Sequence, residues 1–180
     1  MSTYTYPRWQ YRPTAEAEAA TPVEHEVVVV GAGPVGLAVA LDLAKRGRRC
    51  LVLDQDDTVS AGSRAICWSK RSLEIMDRLG VGQRLLDKGV TWHTGRLFFR
   101  GREIYNFDLL PEPGHRMPAF VNLQQYYLEQ YCVETGLAEP LIELRFLTRV
   151  TGVEPRDDGV LLAVESPQGP YRLHARWLIA

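Results

Sequence analysis

The sequence predicts an α/β fold organised around a parallel β-sheet. Three observations support this fold class: an apolar, β-branched run at residues 27–30, a helix-forming segment at 34–45, and a second apolar run at 50–53. Short runs that are apolar throughout are typical of strands buried on both faces of a parallel sheet. A helix that joins two such strands is the crossover unit from which parallel sheets are built.

The N-terminal elements can be justified in order. Residues 1–24 are predicted to be a flexible tail, because they hold prolines and a run of small and acidic residues; their aromatic side chains pack either on the domain or on a neighbouring subunit. Residues 25–180 are predicted to form the domain. Its first helix begins at Pro34 and ends near Lys45, whose charge complements the C-terminal dipole, and Gly47 caps it.

The remaining elements depart from a regular alternation of strands and helices. They are, in chain order, a polar loop at 55–68, a helix at 69–79, a hairpin of strands at 97–99 and 104–107, a helix capped by Asn122 that runs to Thr135, a strand at 141–150, a meander of short strands with turns at 158–159 and 168–169, and an apolar strand at 177–180. The hairpin turns through Gly101, and Gly80 ends the preceding helix.

Composition excludes some functional classes. The 180 residues carry a formal net charge of −1, whereas a nucleic-acid-binding protein shows a basic excess. The chain is 46% hydrophobic and 24% charged, so a packed core is expected. Residues 27–41 lack charge, but they are fewer than the roughly 20 that a membrane helix needs, and glycines interrupt them. We therefore expect no nucleic-acid partner and no membrane insertion.

The cysteines indicate a compartment rather than a site. Cys50, Cys67 and Cys132 are odd in number and widely spaced. They form neither a disulfide framework nor a metal-ligand cluster, and they fit a reducing, cytoplasmic location. The four histidines show no metal spacing, so no metal site is predicted and no catalytic residue can be named from them.

The sequence Gly31-Ala32-Gly33-Pro34-Val35-Gly36 is a G-x-G-x-x-G motif between the first strand and the first helix. This context is the one in which the motif binds a dinucleotide. Gly31 permits the tight turn, Gly33 lets the backbone approach a pyrophosphate, and Gly36 lets the helix pack closely on the strand. The first helical turn, which begins at Pro34 and Val35, presents N–H groups and a partial positive charge to the phosphates.

Asp54 ends the second strand, about 20 residues after the motif, as expected for the residue that accepts hydrogen bonds from an adenosine ribose. Its charge would repel a 2′-phosphate, so NADP is disfavoured at this position. NAD and FAD remain. A nicotinamide-binding domain would continue directly into a third strand and helix, whereas this chain inserts a loop, a helix, a hairpin and another helix. The insertion favours FAD.

Four stretches between residues 26 and 136 carry further motifs: VVVVGAGPVGLAVALDLAKRG, LVLDQD, GSRAICWSKRSLEIMDRLGVG and VNLQQYYLEQY. Their combination resembles the FAD-dependent aromatic-ring monooxygenases of the para-hydroxybenzoate and 3-(3-hydroxyphenyl)propionate hydroxylase type. The resemblance implies a Rossmann-like FAD-binding fold with a parallel sheet, an inserted hairpin and a β-meander. It also implies that Asp54 is the ribose-binding residue.

In that family an Arg-Ala pair in the loop after the second strand lies beside the flavin. The resemblance carries this role to Arg64 and Ala65, with Ser63 next to them. Two interpretations of Arg64 stay open. The flavin role is favoured, because an arginine suits a diphosphate or an anionic reduced flavin; the alternative is a surface arginine paired with Asp56 or Asp57.

A glutamine near the start of a later helix also contacts the flavin side in the family. Gln125 matches it better than Gln124, although a polar residue in the first turn of a helix needs no ligand to explain it. The predicted cofactor-binding set is Gly31, Gly33, Pro34, Val35, Gly36, Asp54, Ser63, Arg64, Ala65 and Gln125.

The resemblance implies an oxidoreductase that hydroxylates a small phenolic or aromatic substrate. NADH or NADPH acts as a transient reductant of the bound flavin, molecular oxygen adds to give a flavin hydroperoxide, and the ring takes up one oxygen atom while the other leaves as water. The flavin carries the chemistry, and the protein positions it and excludes water. A homo-oligomer is left open.

The family's second flavin motif, an Asp-Gly pair, is expected just after a strand like that at 177–180. The sequence therefore predicts an N-terminal portion, incomplete at its C-terminus, that by itself binds FAD weakly and does not hydroxylate. Two alternatives stay open: a flavin- or NAD-dependent oxidoreductase without oxygen insertion, and a non-catalytic dinucleotide-binding module.

Overall fold

The computed structural model describes residues 4–62 and 64–180. Its strands are β1 (Val23–Val30), β2 (Cys50–Leu53), β3 (Cys67–Ser69), β4 (Val90–Trp92), β5 (Thr94–Phe99), β6 (Arg102–Asp108), β7 (Phe120–Asn122), β8 (Ile142–Arg145), β9 (Arg149–Arg156), β10 (Gly159–Ser166) and β11 (Gly169–Ile179). Its α-helices are α1 (Pro34–Lys45), α2 (Lys70–Arg78), α3 (Gly82–Lys88) and α4 (Gln125–Leu137). Two compact units divide the chain: the first holds the residues up to Ala61 together with Glu129–Ala180, and the second holds Gly62–Leu128.

The first unit contains a six-stranded sheet with the order β8-β2-β1-β11-β10-β9. The strands β8, β2, β1 and β11 are parallel, and β9 and β10 are antiparallel to their neighbours. This arrangement confirms the predicted α/β class with a parallel sheet and a β-meander. The crossover from β1 to β2 runs through α1, as the apolar runs and the helix between them predict.

The core of this unit lies on the sheet. Val28, Leu51 and Leu53 are at most 1% exposed and cluster with Leu162 and Leu173 of the meander strands. α1 packs on β1, β2 and β8 and buries its face around Leu37, Ala40, Leu41 and Ala44. β2 and the last four residues of β1 are apolar throughout, as is typical of parallel strands that are covered on both faces.

The C-terminal strand differs from the prediction. The sequence predicts a short meander strand and a separate apolar strand at 177–180, whereas β11 is one continuous strand of 11 residues. Its first part pairs with β10 in antiparallel fashion, and its later part pairs in parallel with β1, where Val29 lies opposite Ile179. One strand thus serves both the meander and the parallel sheet, which a local pattern does not reveal.

The N-terminal segment also differs from the prediction. β1 begins at Val23, so the last two residues of the predicted tail, Val23 and Glu24, belong to the sheet. Residues 15–18 form a short 3-10 helix with Thr14 as its N-cap. Aromatic stacking and a buried ion pair, described below, hold the segment to the first unit, and the sequence pattern contains no signal for these long-range contacts.

The second unit contains the predicted hairpin, formed by β5 and β6. Its turn uses Arg100 and Gly101, both with positive φ, a geometry that suits a tight hairpin turn. A three-stranded sheet with the order β3-β7-β4 and the helices α2 and α3 complete the unit. The three-residue strands and α3 are absent from the prediction because they are too short to show a period.

One predicted cap in this region is wrong. Asn122 is the last residue of β7 and does not cap a helix; α4 begins three residues later, at Gln125. The helix also continues past Gly136 to Leu137. Within the described residues, no helix has the length and apolar character needed to cross a bilayer.

Candidate functional site

The glycine-rich turn joins the carboxyl end of β1 to the amino end of α1. Gly31 has φ +99°, a conformation that side chains rarely adopt, and its N–H donates to the carbonyl oxygen of Leu53 at 2.7 Å. Gly33 is the N-cap of α1 and has an extended conformation, with φ −81° and ψ −178°. The turn is therefore fixed to both strands that flank it.

The three glycines of the motif are required for different reasons. A Cβ atom on Gly36 would overlap the carbonyl oxygen of Gly31 and lie 3.3 Å from the Val29 side chain, so helix and strand pack too closely for any side chain. Gly31 is required by its backbone conformation. A Cβ atom on Gly33 would meet nothing within 4 Å, and its conformation suits any residue. Neither packing nor backbone geometry explains a glycine at position 33.

The first turn of α1 is suited to an anion. No described side chain caps it, and no acidic residue lies in the turn. Pro34 occupies the first helical position, where an N–H would have no partner in the helix. Val35 is 76% exposed. The first turn of this 12-residue helix thus has backbone N–H groups without a described side-chain cap at its positive end.

Asp54 is tied to the glycine-rich turn. Its Oδ2 accepts a hydrogen bond from the N–H of Ala32 at 2.5 Å, and its Oδ1 accepts one from the N–H of Asp56 at 2.8 Å. Burial raises the pKa of this carboxyl group, and the two backbone hydrogen bonds partly oppose that rise. Each carboxylate oxygen retains a further lone pair, which a hydroxyl group can use.

A cavity of about 280 Å³ lies at the carboxyl ends of β1 and β2. Gly31 and Asp54 line it, together with Thr148, Arg149 and Val150 from the segment after β8. The N–H of Thr148 donates to the carbonyl oxygen of Asp54 at 2.8 Å. Sequence reasoning missed these three residues, although they follow a parallel strand, and ligands of open α/β sheets bind at the carboxyl ends of such strands.

Two of the predicted site residues meet in the second unit. The N–H of Gln125 donates to the carbonyl oxygen of Ala65 at 3.0 Å, and the Gln125 Oε1 accepts from the N–H of Ala65 at 3.3 Å. Gln125 is the first residue of α4, so the start of this helix binds the Ala65 backbone through one main-chain atom and one side-chain atom. These two hydrogen bonds are called the Ala65–Gln125 clasp below. Arg64 precedes this clasp and is exposed.

The predicted residues thus fall into two groups, each in its own unit. The motif glycines, Pro34, Val35 and Asp54 belong to the first, and Arg64, Ala65 and Gln125 to the second. Ser63 lies outside the described residues. Of the two carboxylates considered for Arg64, Asp57 has Arg8 as its ion partner, at 2.5 Å. The flavin roles of the second group stay predictions.

A family of known proteins matches almost the whole of this arrangement. The FAD binding domain family aligns with residues 24–180, from β1 to the end of β11. The chain belongs to this family. The choice of FAD over NAD is thereby confirmed, and so is the resemblance to FAD-dependent aromatic-ring monooxygenases, because the relatives that follow are enzymes of that kind.

Para-nitrophenol 4-monooxygenase of Pseudomonas sp. (strain WBC-3) is 31% identical over 157 residues, which cover 86% of this chain and 39% of the relative. The crystal structure of a p-nitrophenol 4-monooxygenase from Pseudomonas putida superposes with a TM-score of 0.79 at 29% identity, covering 88% of this chain and 40% of the other. A ternary complex of aklavinone-11 hydroxylase with FAD and aklavinone gives 0.70 at 25% identity, with 88% and 32% covered. The chain therefore spans about 30–40% of the length of these FAD-binding relatives.

Proposed function

We propose that this chain is the FAD-binding part of a monooxygenase that hydroxylates a small aromatic compound with molecular oxygen and NADH or NADPH. Its membership of the FAD binding domain family supports the cofactor. The names of the relatives, among them a para-nitrophenol 4-monooxygenase and an aklavinone-11 hydroxylase, support the reaction class. The fraction of each relative that the chain spans indicates that further protein is needed for substrate binding and turnover.

Gly33 is the observation that carries this proposal. Its backbone conformation and its surroundings admit an alanine, yet the residue is glycine. A bound pyrophosphate that approaches the backbone at the N-terminus of α1 would explain the missing side chain, because a Cβ atom there would occupy the position of the phosphate oxygens. The open space in front of Gly33 is what an FAD site requires.

The neighbouring residues fit the nucleotide half of FAD. The first turn of α1 supplies N–H donors without a competing carboxylate. Asp54 presents acceptor oxygens for the ribose hydroxyl groups beside the cavity that Thr148 and Arg149 line. In the second unit, the backbone around Ala65 and the exposed guanidinium of Arg64 are proposed to bind the flavin side.

When bound, FAD supplies the redox chemistry and the activation of oxygen, which no side chain of the chain provides. The described residues bind and orient it. The N–H groups of α1 hold negative charge, Asp54 fixes the ribose, and Gln125 keeps the Ala65 backbone in one conformation. No acid or base of the chain is assigned a role in the reaction.

Location and assembly are part of the proposal. Cys50, Cys67 and Cys132 form no disulfide, and Cys50 and Cys132 are buried, which supports a reducing, cytoplasmic compartment. Burial raises the pKa of the Cys50 thiol to about 11, so this residue is a packing residue rather than a nucleophile. We propose no nucleic-acid or membrane partner, and a homo-oligomer stays compatible with the sequence.

The experiment compares Gly33→Ala with the wild-type chain in titrations with ADP and with FAD. We expect Gly33→Ala to fold with a free energy of unfolding within about 0.5 kcal/mol of wild type, since the change is unstrained. The dissociation constant of both ligands should rise about tenfold or more, because the new methyl group obstructs the pyrophosphate.

Gly136→Ala in α4 is the matched control, since it makes the same change at a residue that does not line the nucleotide cavity. It should leave both dissociation constants unchanged. A wild-type chain that binds neither ADP nor FAD, or a Gly33→Ala variant that binds them as well as wild type does, would refute the proposed function.

A further inference from the structure

We propose that residues 4–22 form a strap that holds the nucleotide-binding loops in place, with Trp9 and Arg8 as positioning residues. The inference rests on the proposed function, because it concerns how the adenosine part of FAD is bound. The family match begins at residue 24, so the strap lies outside the FAD binding domain as the family defines it.

The strap contacts the loop that follows Asp54 at three points. The N–H of Trp9 donates to the carbonyl oxygen of Asp57 at 2.8 Å, and the guanidinium of Arg8 lies 2.5 Å from the Asp57 carboxylate. The hydroxyl group of Thr58 donates to the carbonyl oxygen of Pro7 at 2.6 Å. Backbone and side-chain bonds together fix the loop to the strap along three consecutive strap residues.

The strap also contacts the second loop of the cavity. The Trp9 ring stacks on Phe146, with ring centroids 4.8 Å apart and planes 13° from parallel. Phe146 is 6% exposed and directly precedes Leu147, a non-glycine residue at φ +53°. Such a conformation is unfavourable by about 1 kcal/mol and persists only where surrounding contacts impose it.

The two loops are joined to each other behind the cavity. The N–H of Leu147 donates to the carbonyl oxygen of Asp56, and that of Thr148 donates to the carbonyl oxygen of Asp54. Asp54 and Asp56 line the cavity from one loop, and Thr148 and Arg149 line it from the other. Trp9 therefore touches both loops that form the cavity, although it does not line the cavity itself.

A separate anchor keeps the strap in register. Glu16 accepts two hydrogen bonds from the guanidinium of Arg145, at 2.7 and 2.8 Å, and Arg145 is the last residue of β8. Tyr11 donates to the Gln168 side chain at 2.7 Å in the turn between β10 and β11. With its middle and its C-terminal part fixed to the sheet, the strap presents Arg8 and Trp9 to the loops at a defined position.

The test measures ADP binding, because ADP carries the adenosine and pyrophosphate without the flavin ring. In the 180-residue chain, Trp9→Ala should raise the dissociation constant for ADP five- to tenfold, measured well below the melting temperature. Trp9→Phe, which retains a ring to stack on Phe146, should stay within twofold of wild type. Amide hydrogen exchange should become faster at residues 54–58 and 146–148 in Trp9→Ala alone.

Arg8→Ala and Arg12→Ala form a matched pair, since both remove a strap arginine, and Arg8 forms an ion pair with Asp57 of the loop whereas no such pair is described for Arg12 among residues 4–62 and 64–180. We expect about threefold weaker ADP binding for Arg8→Ala and no change in ADP binding for Arg12→Ala. Should Trp9→Ala fail to fold, the double variant Arg8→Ala/Thr58→Val removes two loop contacts at partly exposed positions and carries the same expectation of at least threefold weaker binding.

Each result of the ADP titrations either supports or contradicts the positioning role of the strap. If wild type binds ADP and the loop-contact variants bind it equally well, the strap is only a structural element and the inference is wrong. If wild type binds neither ADP nor FAD, the proposed function fails, and the inference fails with it. A lower melting temperature at an unchanged dissociation constant also counts against positioning.

Discussion

Asp54 joins the two halves of the nucleotide site at the scale of single atoms. One carboxylate oxygen holds Ala32 of the glycine-rich turn, and the other holds Asp56 of the following loop. The lone pairs that remain on the two oxygens are those that a ribose diol requires. The same negative charge would disfavour a ribose that carries a 2′-phosphate, so we propose that this one residue contributes to both affinity and selectivity.

We predict that Asp54→Asn weakens ADP binding about tenfold and reduces the discrimination against adenosine 2′,5′-diphosphate. An asparagine amide offers one acceptor oxygen in place of two and carries no charge to repel the 2′-phosphate. Competitive titration with the two nucleotides measures the ratio of their dissociation constants. Asp158→Asn, which neutralises a carboxylate that does not line the cavity, should preserve it. An unchanged ratio in Asp54→Asn would contradict the role of its charge.

The sequence was sufficient to locate Asp54 but not its partners. The position follows from the end of an apolar strand at the expected distance from the glycines. The hydrogen bonds that Asp54 accepts from Ala32 and from Thr148 depend on how three segments meet in space, and no local pattern records that. Gly33 shows the converse: the motif alone predicts its role, and the structure adds that neither its conformation nor its packing requires a glycine.

At the scale of elements, the strap depends on one buried ion pair. The side chains of Glu16 and Arg145 are 17% and 5% exposed, and His25 lies 3.1 Å from the same carboxylate. Burial by itself would raise the pKa of Glu16, but the hydrogen bonds from Arg145 and His25 outweigh it, and the net direction is downwards. Arg145 also pairs with Glu143 at 2.6 Å, so it retains one partner when Glu16 is removed.

We predict that Glu16→Gln lowers the free energy of unfolding at pH 7 by about 2–3 kcal/mol, because a buried guanidinium loses a charged partner. A carboxyl group whose pKa is depressed by folding stabilises the fold above its unfolded pKa of about 4.3, and this contribution is lost as the pH falls through the folded pKa. Urea unfolding between pH 7 and 3 should therefore show a smaller loss of stability in Glu16→Gln than in wild type.

Glu18→Gln is the control for this measurement, since Glu18 is an exposed carboxylate on the same short helix. It should unfold like wild type across the range. If the free energy of unfolding falls equally with pH in wild type and in Glu16→Gln, the ion pair contributes nothing to the pH dependence of stability.

Element prediction succeeded where each element carries its own signal. α1 and β2 have the predicted bounds because an apolar period, a proline start and a basic last turn coincide in the first, and a four-residue apolar run defines the second. It failed for β3, β4 and β7, whose three residues are specified by pairing rather than by pattern. The sequence does not predict the strap for the same reason, because its contacts join residues that are far apart in sequence, such as Arg8 with Asp57 and Glu16 with Arg145.

For the whole molecule, the two groups of proposed site residues concern different parts of FAD. We propose that the glycine-rich turn and Asp54 of the first unit bind the nucleotide, and that Arg64 and the Ala65–Gln125 clasp of the second bind the flavin side. Ligands that contain only one of these parts separate the two contributions. ADP reports on the nucleotide residues alone, whereas FAD reports on both groups.

We predict that Arg64→Ala raises the dissociation constant for FAD at least threefold and leaves that for ADP unchanged. An arginine that neutralises the flavin side acts only when that part of the ligand is present. Calorimetric titration with both ligands gives the two constants, and Arg100→Ala, an exposed arginine in the hairpin turn of the same unit, serves as the control. Equal effects on FAD and ADP would place Arg64 at the phosphates. No effect on either ligand would show that Arg64 is a surface residue without a role in FAD binding.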